Sequence, residues 1–238
     1  MPRLRTLLTR TFPSASALYK TARSRIDRMR HGNGDVRAFE QIVGENRWGD
    51  PESLSGGGSN LRQTETLRAE LPPLLSRSGV QSLLDAPCGD FNWMRLVDLG
   101  QVTYTGVDVV APLIERCQRT YGGPGRQFMV RDILADPLPR ADVILSRDCF
   151  VHLSYEHIIA ALRNFRRSGA AFLLTTSYTS RKRNWDIVTG SWRPLNLQEK
   201  PFSFPDPLDR IVENSTEFQG DFADKILALW RLDSVRIP

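Results

Sequence analysis

From residue 80 onward, apolar runs alternate with amphipathic stretches. The run Val80 to Leu84 ends in Asp85 and a tight Pro87-Cys88-Gly89-Asp90 turn, and a mixed segment, Asn92 to Leu99, can start a helix after it. Val102 to Val107 is a second apolar run that ends in an acid, Asp108. Ala111 to Tyr121 places Leu113, Ile114 and Cys117 on one helical face, and Gly122-Gly123-Pro124-Gly125 stops that helix. Gln127 to Val130, Ala141 to Leu145 and Ala170 to Thr175 read as further strands. Before the last of them, Ile158, Ile159, Leu162 and Phe165 mark another helix. Strand and helix alternating at this spacing predict a mostly parallel, Rossmann-like α/β sheet with right-handed crossovers. Two more strands, about Arg210 to Ser215 and Ile226 to Val235, are expected as an antiparallel pair closing the sheet edge.

Upstream, Val36, Phe39, Ile42 and Val43 predict a short helix, and a helix is expected over Leu61 to Ser76. Between them runs Trp48 to Asn60, rich in Gly and Ser. Such a stretch serves either as a connector or as a set of backbone N–H groups that hold an anion before a helix. The polar segment Ser177 to Leu208 has no regular pattern, and a structureless stretch of that length in a compact domain is expected to be functional.

Composition adds little to this, but charge adds something. The 238 residues carry a net charge of +5. The first thirty hold eight basic residues against Asp27 alone, so +7 sits there and the remaining 208 residues sum to −2. The body therefore has no basic surplus with which to track a nucleic-acid backbone, and no nucleic-acid partner is expected. Leu18, Tyr19, Ala22, Ile26 and Met29 fall at helical spacing among those arginines. This basic extension, taken as residues 1–45 before a domain at 46–238, fits a helix on an anionic membrane surface. It fits equally a partner-docking helix, a mitochondrial-type targeting peptide or a solvated extension. No apolar run is long enough to span a bilayer. Three cysteines without metal or disulfide spacing fit a reducing, cytoplasmic setting.

The candidate chemistry gathers at the strand ends. A dinucleotide site wants G-x-G-x-x-G after its first strand, so that the backbone can approach a pyrophosphate. Here the turn offers Gly89 alone, which speaks against NAD. Asp108 stands where an acid would grip ribose hydroxyls. Asp148 and His152, four residues apart after the fourth strand, are placed to share one face of a helical turn, His152 as a base and Asp148 to orient it or hold a substrate. No cluster suits a metal ion.

The stretch Asp85-Ala86-Pro87-Cys88-Gly89-Asp90-Phe91-Asn92-Trp93, with Asp108 and Asp132 downstream, resembles the class I S-adenosylmethionine-dependent methyltransferases. It is most similar to a bacterial group that shares this turn. Its members also show patterns like Trp48-Gly49 with Ser55-Gly56, Arg147-Asp148-Cys149 with Val151-His152-Leu153, Ile187 to Gly190, and Trp192 to Leu197. The likeness runs from about Asn46 to the C-terminus. It implies a seven-stranded sheet and S-adenosylmethionine as cofactor. Asp85, Pro87 and Gly89 would pass under its methionine part, Asp108 would take the ribose, and Asp132 with Ile133 would flank the adenine. Ser146 and Arg147 would border the transfer centre, and Ser59 with Arg62 would hold the carboxylate. The family's turn is Gly-x-Gly-x-Gly, and its glycine positions hold Pro87, Gly89 and Phe91 here.

The implied activity is methyl transfer to an oxygen or nitrogen of a small polar acceptor. Trp93, Tyr178, Arg183, Trp192, Arg193 and Asn196 are the expected acceptor-binding residues, and their mix of stacking faces and planar donors favours a sugar or saccharide. Methylation of a protein or nucleic acid, or cofactor binding without turnover, are the alternatives. Oligomeric state has no signature in the sequence.

Overall fold

The structure is a computed structural model and describes residues 36–238. The basic segment, His31 included, lies outside the described residues. Helix α1 spans Val36–Gly44, α2 Glu65–Arg77, α3 Ala111–Tyr121 and α4 Tyr155–Arg167. The strands are β1 Ser82–Asp85, β2 Thr103–Asp108, β3 Arg126–Val130, β4 Val143–Ser146, β5 Phe172–Tyr178, β6 Asp209–Val212 and β7 Lys225–Arg231. They form one seven-stranded sheet in the order β3-β2-β1-β4-β5-β7-β6. The first five strands are parallel; β7 runs antiparallel to both β5 and β6. The strand order reverses between β1 and β4, and ligands of open α/β sheets bind at the carboxyl ends of strands at that point.

Side chains alternate across the sheet with the expected period of two. Leu83, Val143, Leu145, Leu174, Leu227 and Leu229 face a core closed by Leu67, Leu71, Leu74 and Leu75 of α2 and by Ile114 and Cys117 of α3. Leu84, Ile144, Leu173, Ala228 and Trp230 face the other core, closed by Ile158, Ala161, Leu162 and Phe165 of α4. With both faces covered, the central strands are apolar on both sides, which is why they read as continuous runs. The Ser154 hydroxyl caps α4 by accepting the His157 N–H at 3.2 Å. Among the described residues no helix is long and apolar enough to cross a membrane.

Three expectations need correction. Asn92 to Leu99 forms one 3-10 turn, Met94–Leu96, in place of a helix. The amide of Asn92 is spent instead on the Glu52 carboxylate, at 2.7 Å, and on the Ser59 carbonyl, at 3.2 Å. The helix expected from Leu61 begins at Glu65, leaving Arg62 exposed in the preceding turn. The stretch Ser177 to Leu208 contributes Tyr178 to β5, and its irregular remainder is packed down rather than open. Leu195, Leu197, Phe202 and Phe204 are buried, and the Asn184 amide donates to the Asn196 and Lys200 carbonyls.

Candidate active site

The turn after β1 is wired to its neighbours by backbone hydrogen bonds. Ala86 N–H donates to Leu145 of β4 and Cys88 N–H to Val107 of β2, each at 2.8 Å. Gly89 has φ +56°, and a Cβ placed there would lie 2.1 Å from the Ser55 hydroxyl, so the backbone favours glycine and any side chain would have to displace Ser55. Phe91, at the family's third glycine position, is left-handed too, with φ +59°. A bulky residue there is strained. Its ring packs against Tyr104, Tyr121 and Phe128 at centroid distances of 5.0, 5.3 and 5.0 Å, which offsets that cost. Buried Asp90 ties the Gly-Ser segment down. Its carboxylate accepts from the Ser53 hydroxyl at 3.1 Å, the Leu54 N–H at 2.8 Å and the Ser55 hydroxyl at 3.2 Å. The segment is therefore fastened over the turn, with Gly57–Ser59 forming a 3-10 turn.

Three acids meet at the strand ends. Asp85 is buried, and burial pushes its carboxyl up to about 7 although the Tyr104 hydroxyl donates to it at 2.8 Å. Asp108 accepts the N–H groups of Gly89 at 3.1 Å and Val110 at 3.0 Å; burial raises its carboxyl, and those donors pull the other way. Asp148 has φ +51°. Burial acts to raise its carboxyl, but Lys225, 2.6 Å away, and Arg147, 3.3 Å away, outweigh it and hold it well below the usual carboxylate range. Lys225 and Arg147 also grip buried Glu213 at 3.2 and 2.7 Å, and Arg147 donates to the Gly58 carbonyl at 2.8 Å. Four charges thus neutralise one another beneath the site.

His152 borders the same cavity. Its Nδ1 is 2.8 Å from the Ser191 carbonyl, which can only accept, so Nδ1 carries the proton and Nε2 is the acceptor nitrogen. The Trp48 ring packs on it at 5.3 Å. Asp148 does not orient His152 by a direct hydrogen bond of the expected kind; Ser191 does so, and Asp148 is committed to Lys225.

A cavity of about 290 Å³ opens between these groups. Of the expected residues, Ser59, Asp85, Pro87, Gly89, Trp93, Asp108, Asp132, Ile133, Arg147, Asp148 and His152 all border it. Ser146 does not; it is fully buried beneath the wall. Arg62 does not, being exposed on the surface. Tyr178, Arg183, Trp192, Arg193 and Asn196 lie away from the cavity as well. Tyr178 and Trp192 pack with Phe222, at 5.7 and 4.9 Å. Arg193 is buried and donates to the Phe150 carbonyl at 2.9 Å, Asn196 donates to the Arg181 carbonyl at 2.9 Å, and Arg183 is exposed. Asn196 satisfies backbone of the irregular segment itself and Arg193 that of the 3-10 turn Phe150–His152, carbonyls that must find partners somewhere.

Several wall residues were not foreseen. Phe39 and Val43 of α1, Trp48, Ser55, Leu113 and Thr189 all border the cavity. Trp48, Ser55 and Thr189 sit in motifs that were visible in the sequence; the inward face of α1 was visible as a periodicity without a partner.

Residues 83–169 match the family described as a methyltransferase domain. That match runs from β1 to the end of α4, 87 of the 238 residues. No curated protein matches the chain. Among solved structures, the domain's fold is similar to the N-methyltransferase NodS from Bradyrhizobium japonicum WM9 in complex with S-adenosyl-L-homocysteine. That match has a TM-score of 0.55 at 19% identity, covering 82% of this chain and 98% of that one. It is also similar to human N-acetylserotonin methyltransferase in complex with SAM, with a TM-score of 0.50 at 12% identity over 92% of this chain and 67% of that one. At these identities the likeness is one of fold. The NodS match covers more of the chain than residues 83–169.

Proposed function

We propose that this chain transfers a methyl group from S-adenosylmethionine to an oxygen or nitrogen of a small acceptor molecule. One observation carries the reading: a single cavity is lined by buried strand-end acids, a left-handed glycine with no room beside it and a histidine whose Nδ1 is fixed by a carbonyl. The residues fit the cofactor. Close backbone approach at Gly89 suits a ligand lying over the turn, and Asp108 at the end of β2 suits a ribose. Ile133, Leu113 and Val110 offer apolar faces for an adenine, with Asp132 beside them. Arg147 borders the same cavity, its guanidinium held in place by Glu213, Asp148 and the Gly58 carbonyl.

When bound, the cofactor supplies an electrophilic methyl group on a sulfonium sulfur. What the protein must add is alignment, exclusion of water and removal of the acceptor's proton. His152 Nε2 is the base, with Ser191 holding its ring. Asp148 is ionised but locked to Lys225 and Arg147, so it serves as a fixed negative charge facing the cavity rather than as the proton acceptor. The loop residues that favoured a sugar lie away from the cavity. Phe39, Val43 and Leu153 line the same cavity and Trp48 packs on the His152 ring, which supports an acceptor with a flat or apolar face.

Isothermal titration with S-adenosylmethionine, combined with transfer of a labelled methyl group, tests the reading. Asp108→Ala should abolish cofactor binding. His152→Ala should keep it and slow turnover by about 10²-fold or more, the usual worth of a general base. Normal cofactor affinity in Asp108→Ala overturns the assignment of the cavity.

A further inference from the structure

Thr189 has no part in the chemistry above, yet it borders the cavity and is only 7% exposed. It lies in an irregular segment that runs alongside His152. Gly190 N–H donates to the His152 carbonyl at 2.8 Å, and the Ser191 carbonyl holds His152 Nδ1 at 2.8 Å, so Thr189 and the His152 ring share one stretch of wall. The Thr189 hydroxyl accepts the Ser154 N–H at 3.1 Å and lies 2.7 Å from His157 Nδ1. His157 is held in turn, its own N–H donating to the Ser154 hydroxyl. The hydroxyl is therefore pinned by the first turn of α4.

A threonine hydroxyl has one proton and two lone pairs. Ser154 uses one lone pair. If the hydroxyl donates to His157 Nδ1, one lone pair is left; if His157 Nδ1–H donates to it, the proton is left. In either state one hydrogen-bonding position remains, on a residue that borders the cavity beside the base. Phe39, Val43 and Leu153 line the same cavity, and the Trp48 ring packs on His152 at 5.3 Å. A polar point isolated in an apolar wall discriminates strongly between ligands that do and do not satisfy it.

Resting on the methyl-transfer reading, we infer that Thr189 is a specificity-determining residue for the acceptor. It reads a second hydrogen-bonding group on the acceptor, adjacent to the oxygen or nitrogen that His152 deprotonates. The acceptor class is then a small molecule with a flat or apolar body and two neighbouring hydroxyl or amine groups.

The test uses the full chain, labelled S-adenosylmethionine and paired probes that differ by one vicinal group: catechol against phenol, and 2-aminophenol against aniline. The wild type should prefer the two-group member of each pair by about tenfold or more in kcat/KM, the scale of one hydrogen bond to a buried polar group. Thr189→Val should bring that ratio toward one while leaving cofactor affinity and the rate on the one-group probes unchanged. Thr189→Ser, which keeps the hydroxyl, should retain the preference. If Thr189→Val slows both members of a pair equally, the hydroxyl only supports the start of α4 and the inference fails. A wild type that binds the cofactor but shows no preference, or methylates none of the probes, overturns this acceptor class while leaving the cofactor reading intact. A wild type that does not bind S-adenosylmethionine overturns the reading beneath it.

Discussion

Gly89 gives the sharpest quantitative test of the turn. In Gly89→Ala the new methyl carbon would lie 2.1 Å from the Ser55 hydroxyl oxygen and 3.2 Å from Ser55 Cβ. Two costs follow. Holding alanine at φ +56° costs about 1 kcal/mol, at the lower end for a left-handed residue without glycine's freedom. Ser55 must also swing away, breaking two 3.2 Å bonds: the one its hydroxyl donates to the Asp90 carboxylate and the one it accepts from the Asp90 N–H. The first, to a charged group, is worth about 1.5 kcal/mol and the second about 0.5 kcal/mol. The single variant should therefore lose about 3 kcal/mol, the sum of the backbone and hydrogen-bond costs. Ser55→Ala loses the same bonds, about 2 kcal/mol, without straining the backbone. In the double variant the hydroxyl clash is gone, the 3.2 Å Cβ contact is common to both Gly89 variants and the bonds are already absent. The loss should then stay near about 3 kcal/mol instead of the roughly 5 kcal/mol that independent effects would give, about 2 kcal/mol of coupling. Urea unfolding of the four proteins at one pH reads this directly, provided the denaturant slope is unchanged. Additive losses would mean that Ser55 is not what the methyl group meets, and the fastening of the Gly-Ser segment over the turn would have to be abandoned.

Other consequences can be measured on the same protein. Burial lifts Asp85 to about 7, so between the unfolded value near 4 and that value the folded chain holds a proton that the unfolded chain has released. Stability should fall as pH rises through that window, by at most about 1.4 kcal/mol per unit, and Asp85→Asn should flatten the slope; identical slopes from pH 4.5 to 7.5 would refute the assignment. Lys225→Met leaves the Asp148 and Glu213 carboxylates without their shared ammonium and should cost about 3–5 kcal/mol in urea unfolding. Adding Glu213→Gln should restore a good part of that loss, and no restoration would show that the three groups do not act as one network.

The parts of this fold that were legible in the sequence are those specified locally. Helix α3 begins and ends where its apolar face and its Gly-Gly-Pro stop place it, and the strands ending in Asp85 and Asp108 fall where the apolar runs do. Errors arose where side chains serve distant partners. Asn92 bonds residues 40 and 33 positions earlier, and nothing in the neighbourhood of Asn92 reveals that its amide is taken from a helix to fasten a loop. Arg193 and Asn196 read as acceptor-binding donors; here Arg193 satisfies the Phe150 carbonyl in the 3-10 turn after β4 and Asn196 the Arg181 carbonyl of the packed irregular segment. The site itself was half legible. Strand-end acids and the Asp148–His152 spacing could be found by register. Phe39, Val43 and Lys225 reach the site only through tertiary packing, and a charged residue such as Lys225 gives no local sign that it will be buried.

The Arg147 guanidinium has a consequence for the order in which the molecule is made. It joins a carbonyl before β1, at Gly58, to a carboxylate beyond β6, at Glu213, and the same carboxylate meets the ammonium that opens β7. The segment matching a methyltransferase domain, residues 83–169, emerges during synthesis with its acids and His152 already present, yet without the groups that balance Asp148 and Arg147. The charge network under the cavity is therefore complete only once Lys225 has been made. The strand that carries it, β7, is the last in the chain yet lies between β5 and β6, so the closing strand of the sheet is also what balances the buried charges at strand ends made long before it.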